Sequence, residues 1–67
     1  LWFNLGVLLE DLQRPDDARA AYENALRSDA DFADGHYNLA LLFEKMKRPK
    51  DALRHMARYR ILVARER

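Results

Sequence analysis

Apolar residues in the first part of the chain recur every three or four positions, which is the spacing of one face of an α-helix. These residues are Trp2, Leu5, Leu8, Leu9 and Leu12. Pro15 interrupts the run, and proline ends one helix but suits the first turn of the next because it has no N–H group to satisfy. The pattern therefore predicts an amphipathic helix that ends before Pro15 and a second helix that begins there.

The second helix is predicted over residues 15–28. Its packing side carries Ala18, Ala21, Tyr22, Ala25 and Leu26. Arg19 and Glu23 form an i,i+4 pair that stabilises the helix on its solvent-exposed face. A turn at residues 29–31 follows, and Asp31 is the expected N-cap of a third helix over roughly residues 32–47. A fourth helix should run from Pro49 towards the C-terminus.

The chain contains an internal repeat with a period of 34 residues. Residues 2–18 align with residues 36–52 with eight identities in seventeen positions. The identical pairs are Asn4/Asn38, Leu5/Leu39, Leu8/Leu42, Glu10/Glu44, Arg14/Arg48, Pro15/Pro49, Asp17/Asp51 and Ala18/Ala52. The prediction is a single all-α domain over residues 1–67. It has four helices in two stacked helix–turn–helix repeats, at about residues 1–30 and 31–67.

The repeat resembles the tetratricopeptide repeat, whose pattern begins W-x2-L-G and continues with A-x3-F at fixed spacing. The first copy matches with Trp2, Leu5, Gly6, Ala18 and Tyr22, and Leu9 stands in for the Tyr of the family pattern. The second copy has His36, Leu39, Ala40, Phe43, Ala52 and Met56 at the places of Trp2, Leu5, Gly6, Leu9, Ala18 and Tyr22. The resemblance implies a fragment of an α-solenoid that binds proteins. Gly6 and Ala18 should be small because the two helices of a hairpin cross closely there. Tyr59 and Arg60 replace Ala25 and Leu26 of the first copy, so the last helix is expected to be atypical.

The resemblance also implies a concave groove lined by the first helix of each repeat. The matching residues are Phe3, Asn4, Val7, Glu10 and Asp11, then Tyr37, Asn38, Leu41, Glu44 and Lys45. Asn4 and Asn38 are the leading candidates, because an amide can donate to and accept from a peptide backbone at once. The alternative interpretation is that these asparagines only bridge neighbouring helices. The apolar members of the set suit an apolar peptide or a partner helix.

The formal net charge of +1 conceals two oppositely charged halves. Residues 1–34 carry three arginines against eight acidic residues, a net charge of −5, whereas residues 35–67 carry nine basic against three acidic residues, a net charge of +6. Two repeats also leave both ends of the stack uncapped. These features favour self-association as a head-to-tail, antiparallel or hairpin-exchanged dimer. The apolar residues expected to contribute are Tyr59, Ile61, Leu62 and Val63.

The rival class of partner is nucleic acid, or another anionic molecule, bound weakly by the basic second half. The basic residues are Lys45, Lys47, Arg48, Lys50, Arg54, Arg58, Arg60, Arg65 and Arg67. They are spread over helix faces and a loop without a known reading motif, so solvated helix faces explain them better.

Catalysis is not expected of this chain. It has no Cys and a single Ser, Ser28, and its two histidines, His36 and His55, fall on different helices without the spacing of a metal site. Glu10 and Glu44 each have an arginine four residues on, so solvated ion pairs explain them better than acid–base chemistry. No cofactor is predicted. No apolar run is long enough for a membrane span and no signal peptide is recognisable, which leads us to expect a cytoplasmic location.

Overall fold

A computed structural model describes residues 1–66 of the chain as four α-helices joined by short turns. The helices are α1 (Trp2–Asp11), α2 (Pro15–Ser28), α3 (Ala33–Lys45) and α4 (Pro49–Arg65). Each helix packs against the next one along the chain, α1 on α2, α2 on α3 and α3 on α4. The all-α fold of two stacked helical hairpins is therefore confirmed, and α2 has the predicted bounds. Within residues 1–66, no helix combines the length and apolar character that crossing a membrane requires.

The two hairpin turns have the same backbone geometry. Gln13 and Lys47 both adopt a left-handed conformation, with φ of 61° and 62°. The N–H group that follows each of them donates to a carbonyl five residues back, from Arg14 to Leu9 and from Arg48 to Phe43, at 2.9 Å in both cases. The left-handed residue lets the chain reverse while this bond satisfies one of the helix's last carbonyls. The repeat seen in the sequence is thus also a repeat of backbone structure.

The predicted N-cap of α3 is wrong. Phe32 precedes the first residue of α3 without a side-chain cap, and the helix spans Ala33–Lys45 rather than residues 32–47. Asp31 instead uses its carboxylate to accept a hydrogen bond from Arg58 of α4, at 2.8 Å. Its N–H group donates to the carboxylate of Asp29, at 3.1 Å. The turn between the repeats is therefore held by Asp29 and by an ion pair to α4.

The core lies where α2 and α3 meet, with α1 and α4 packed on either side. The buried cluster consists of Ala18, Tyr22, Leu39, Leu42, Phe43 and Ala52. Gly6 of α1 faces this cluster, and a Cβ atom built on Gly6 would lie 2.5 Å from Cε1 of Tyr22. The close approach expected at Gly6 is confirmed, because the Tyr22 ring occupies the space that any side chain would need.

Candidate functional site

A buried tyrosine links the first three helices. Tyr22 is fully buried, and its hydroxyl donates to Oε2 of Glu10 on α1 at 3.1 Å. The same hydroxyl accepts a hydrogen bond from Nδ2 of Asn38 on α3 at 3.5 Å. Burial raises the pKa of Tyr22 to about 12, so the phenol stays protonated and keeps its donor role at neutral pH. Asn38 consequently acts in part as the helix-bridging residue that the sequence left open as an alternative.

The predicted ion pairs of Glu10 with Arg14 and of Glu44 with Arg48 are not formed. Glu10 turns to the Tyr22 hydroxyl instead. Arg14 and Arg48 stand immediately before α2 and α4, where each lies over the following first turn and pairs with the aspartate three residues on. The arginine-to-carboxylate distances are 2.7 Å for Arg14 to Asp17 and 2.9 Å for Arg48 to Asp51. The i,i+4 pair between Arg19 and Glu23 is confirmed at 2.7 Å.

The ten predicted groove residues lie on α1 and α3, which run in the same direction because α2 reverses the chain between them. Phe3, Glu10, Asn38 and Leu41 are half-buried, and Asn4, Val7, Asp11, Tyr37, Glu44 and Lys45 are exposed. Phe3 and Asn4 line a cleft of about 570 Å³ with Phe32, at the start of α1. Glu10 and Lys45 line another, of about 380 Å³, at the other end of α1. The structure thus distributes the predicted residues along an open surface and does not gather them in one enclosed pocket.

The aromatic residues of this surface are packed differently in the two repeats. Phe3 lies 5.1 Å from Phe32 in an edge-to-face arrangement and 5.8 Å from Tyr22, measured between ring centroids. Tyr37, at the position equivalent to Phe3, packs instead on Tyr59 of α4 at 4.9 Å. The rings of Phe3 and Tyr37 each pack on a neighbouring ring and remain partly exposed.

The four residues predicted to support self-association do not share one surface. Tyr59 packs on Tyr37, and Val63 is half-buried. The prediction for Leu62 is wrong, because its side chain is buried within the chain's own fold and offers no surface to a partner. Ile61 is exposed. This difference follows from helical geometry, since consecutive residues of α4 point in directions about 100° apart.

The structure also brings together two histidines that the sequence analysis kept apart. Nδ1 of His36 on α3 lies 2.9 Å from Nδ1 of His55 on α4, and Nε2 of His36 lies 2.8 Å from the carbonyl oxygen of Ala30. A carbonyl can only accept, so Nε2 of His36 carries a proton. In neutral His36 the Nδ1 atom is then the acceptor, and His55 donates to it. Residues 1–66 contain no cluster of three or more side chains suited to a metal ion.

The signal in the sequence that could have revealed this pair is a matched change of side-chain size at two positions between the repeats. The positions equivalent to His36 and His55 in the first repeat are Trp2 and Ala21, one large and one small residue. Two rings of intermediate size replace them in the second repeat. Burial, followed by the positive charge of Arg54, lowers the pKa of His55 to about 4. His55 is therefore neutral at physiological pH.

Several arginines of the basic half are bound to carboxylates. Arg48 and Arg54 both donate hydrogen bonds to the carboxylate of Asp51, at 2.9 Å each. The bond from Arg54, followed by the bond from Arg48, lowers the pKa of the Asp51 carboxyl. Arg58 pairs with Asp31. These contacts place part of the positive charge in ion pairs on the surface of the protein.

Two stacked helical hairpins with a 34-residue period, whose first helices share an open surface, define a helical-repeat protein of the α-solenoid class. A tetratricopeptide repeat family model matches residues 2–65. The chain belongs to the tetratricopeptide repeat family, whose repeats generally mediate protein–protein interaction.

The chain is also similar to part of a much larger protein, the Protein O-mannosyl-transferase Tmtc3 of Drosophila melanogaster. The two are 42% identical over 53 residues, which is 79% of this chain and 6% of the relative. The similarity therefore concerns a small segment of that protein.

Proposed function

We propose that the chain is a non-catalytic interaction module whose α1–α3 surface binds an apolar peptide or a partner helix. The observation that carries this proposal is the placement of Asn4 and Asn38 at equivalent positions of two parallel helices, with Asn38 held by the Tyr22 hydroxyl. Tyr22 takes up one N–H of the Asn38 amide, which leaves an oxygen and a second N–H to serve a peptide backbone. A side chain that is already held in place loses less entropy when it binds.

Apolar side chains next to the asparagines support the choice of partner. Val7 and Tyr37 are exposed, and Phe3 and Leu41 are half-buried beside them. Covering such surface is favourable by about 25 cal/mol per Å² of apolar area removed from water. An amphipathic helix or an extended apolar peptide supplies apolar surface that can cover these residues, whereas a strongly charged ligand would leave them exposed to solvent.

A protein partner is proposed in preference to nucleic acid because of the ion pairs of the basic half. Arg48, Arg54 and Arg58 are engaged with Asp51 and Asp31, so binding phosphates with them would mean exchanging one set of ion pairs for another. Titration with duplex DNA at low salt tests this preference. Binding that weakens steeply as salt is added would favour the nucleic-acid alternative.

A peptide array, followed by affinity measurement on the best peptide, tests the groove. Asn4→Ala combined with Asn38→Ala should weaken binding about tenfold or more, since each lost hydrogen bond is worth about 1 kcal/mol. Asn24→Ala is the matched control, because it removes the same chemical group from α2, where the side chain accepts a hydrogen bond from Arg27. Circular dichroism checks that all variants remain helical. Equal affinity for the double variant and the control would remove the asparagines from the proposed mechanism.

A further inference from the structure

Equivalent residues of α1 and α3 differ sharply in exposure. Leu5 is 40% exposed but its equivalent Leu39 is 0% exposed, and Leu8 is 52% exposed but Leu42 only 2%. We call Trp2, Leu5, Leu8 and Leu12 the α1 face; all four are exposed. The second repeat buries His36, Leu39 and Leu42 and half-buries Met46 at the same positions, so the α1 face has the composition of a packed surface, and no element of residues 1–66 covers it.

The structure shows what covers these positions on α3. Leu39 and Leu42 pack in the core cluster with Ala18 and Tyr22 of α2. Met46, which immediately follows α3, lines a cleft with Gln13 of the first hairpin turn and Pro15 at the start of α2. The surface formed by α2 and the turn before it is therefore the receptor for α3 in this fold.

An equivalent receptor lies open at the other end of the molecule. A groove of about 810 Å³ is lined by Pro49, Ala52, Leu53 and Met56, among others, and we call it the C-terminal groove. Its Pro49, Ala52 and Met56 stand 34 residues after Pro15, Ala18 and Tyr22. Leu53, which replaces Arg19, is 67% exposed and makes the groove more apolar than its first-repeat equivalent.

Charge favours the pairing of these two surfaces. Lys45 and Gln13 line the same cleft between the repeats, and their equivalents are Asp11 at one end of the molecule and Lys47 at the other. If one copy repeats the α2–α3 arrangement with the next, Asp11 of one comes to lie beside Lys47 of the other. The net charges of −5 and +6 on residues 1–34 and 35–67 act in the same sense over longer range.

We propose that a second copy of this chain docks its α1 face into the C-terminal groove, in the arrangement that α3 adopts on α2. The contact joins two different surfaces, so each added copy leaves one α1 face and one groove open, and assembly continues head to tail. One part of the internal arrangement is not reproduced. Gly35 approaches Leu26 closely, and their equivalents are Leu1 and Arg60. The docking therefore depends on the last turn of α1, around Leu8, and on Leu12, which immediately follows the helix.

Two variants that block opposite surfaces test this arrangement. Leu8→Glu spoils the α1 face and Leu53→Glu spoils the groove; both residues are exposed, so the fold should persist, as circular dichroism will check. In light scattering at low salt, the unmodified chain should gain mass steadily with concentration, while each variant alone stays at the 7.9 kDa of one chain. An equimolar mixture should form a heterodimer and nothing larger, because it contains one intact face and one intact groove.

Other outcomes of the mixing experiment overturn the proposal. The proposal is wrong if the unmodified chain remains monomeric at high micromolar concentration, or if the mixture of the two variants remains monomeric. The proposal would also be overturned if Leu8→Glu abolished association while Leu53→Glu left association unchanged, since that result indicates two α1 faces in contact with each other.

Charge reversal gives a second, independent readout. Lys47→Asp should weaken association several-fold, and adding Asp11→Lys in the same chain should restore it. Asp34→Lys is the matched control for Asp11→Lys, since it makes the same change of charge on α3, outside the α1 face and the C-terminal groove, and should not restore association. Association should weaken between about 50 mM and about 500 mM salt, as exposed charges become screened. Failure of Asp11→Lys to rescue Lys47→Asp contradicts the proposed register.

Discussion

The rings of Tyr37 and Tyr59 pack with their centroids 4.9 Å apart, and this contact lies within the second hairpin. The equivalent residues of the first hairpin are Phe3 and Ala25. There the small alanine leaves room, and Phe32 from the next repeat packs on Phe3 at 5.1 Å. Tyr59 therefore supplies from inside its own repeat the aromatic contact that the first repeat receives from its neighbour.

This relationship predicts that opposite changes of side-chain size at the two positions both destabilise the fold. Tyr59→Ala should destabilise the fold by about 1–3 kcal/mol, because Tyr37 loses its partner and a gap opens at the surface of α4. Ala25→Tyr should also destabilise by about 1–3 kcal/mol, since the new ring competes with Phe32 for the same space. Urea denaturation measures both, with Tyr59→Phe as the control that keeps the ring. An unchanged midpoint for Ala25→Tyr would show that the site has room for both rings.

Gly6 and Tyr22 provide a test of packing by exchange between repeats. Gly6→Ala should cost about 1–3 kcal/mol, because the new Cβ atom would lie 2.5 Å from the Tyr22 ring. The second repeat has Ala40 and Met56 at these positions. Tyr22→Met should therefore reduce the cost of Gly6→Ala when both are present. A double-mutant cycle from urea denaturation measures this coupling, and strict additivity of the two changes would contradict the interpretation.

The histidine pair predicts that the protein loses stability in mild acid. The folded-state pKa of His55 is lowered to about 4 from its ordinary 6.5, so between these values the unfolded chain binds more protons than the folded one. The contribution is fully present above pH 6.5 and is lost as the pH falls towards 4. Allowing for solvent at the half-buried ring, the loss is on the order of 1 kcal/mol.

The control for the acid effect comes from the first repeat. His36→Trp combined with His55→Ala introduces the residue types found there, at Trp2 and Ala21, and removes both imidazole rings. Carboxyl groups ordinarily titrate at about pH 4, the lower end of this range, so the decisive quantity is the difference between the two proteins. Urea denaturation at several pH values should show a shallower decline for the double variant between pH 6.5 and 4. Parallel curves would mean that His55 titrates normally in the folded state.

The hairpins and their stacking could be predicted because they depend on local, repeated features. Pro15 and Pro49 mark where second helices begin, and Gly6 marks the close crossing, each through a constraint that acts within its own segment. The polar contacts could not be predicted in the same way. The carboxylate of Asp31 is taken by Arg58, 27 residues away, and nothing in the local pattern distinguishes that ion pair from a helix cap. Side-chain partners set by tertiary packing are the part that the pattern leaves open.

The hydroxyl of Tyr22 connects stability to the proposed function. Tyr22→Phe keeps the buried ring but removes the group that Glu10 and Asn38 share, and among the described residues the other oxygen of Glu10, Oε1, is buried without a partner. Losing the hydroxyl should therefore destabilise the fold by about 1–3 kcal/mol. If the Tyr22 hydroxyl orients Asn38 for a peptide, the variant should also bind more weakly at a temperature where it is fully folded. Tyr59→Phe, which removes a tyrosine hydroxyl from α4, outside the proposed α1–α3 surface, is the matched control. Weaker stability with unchanged affinity would confine Tyr22 to a structural role.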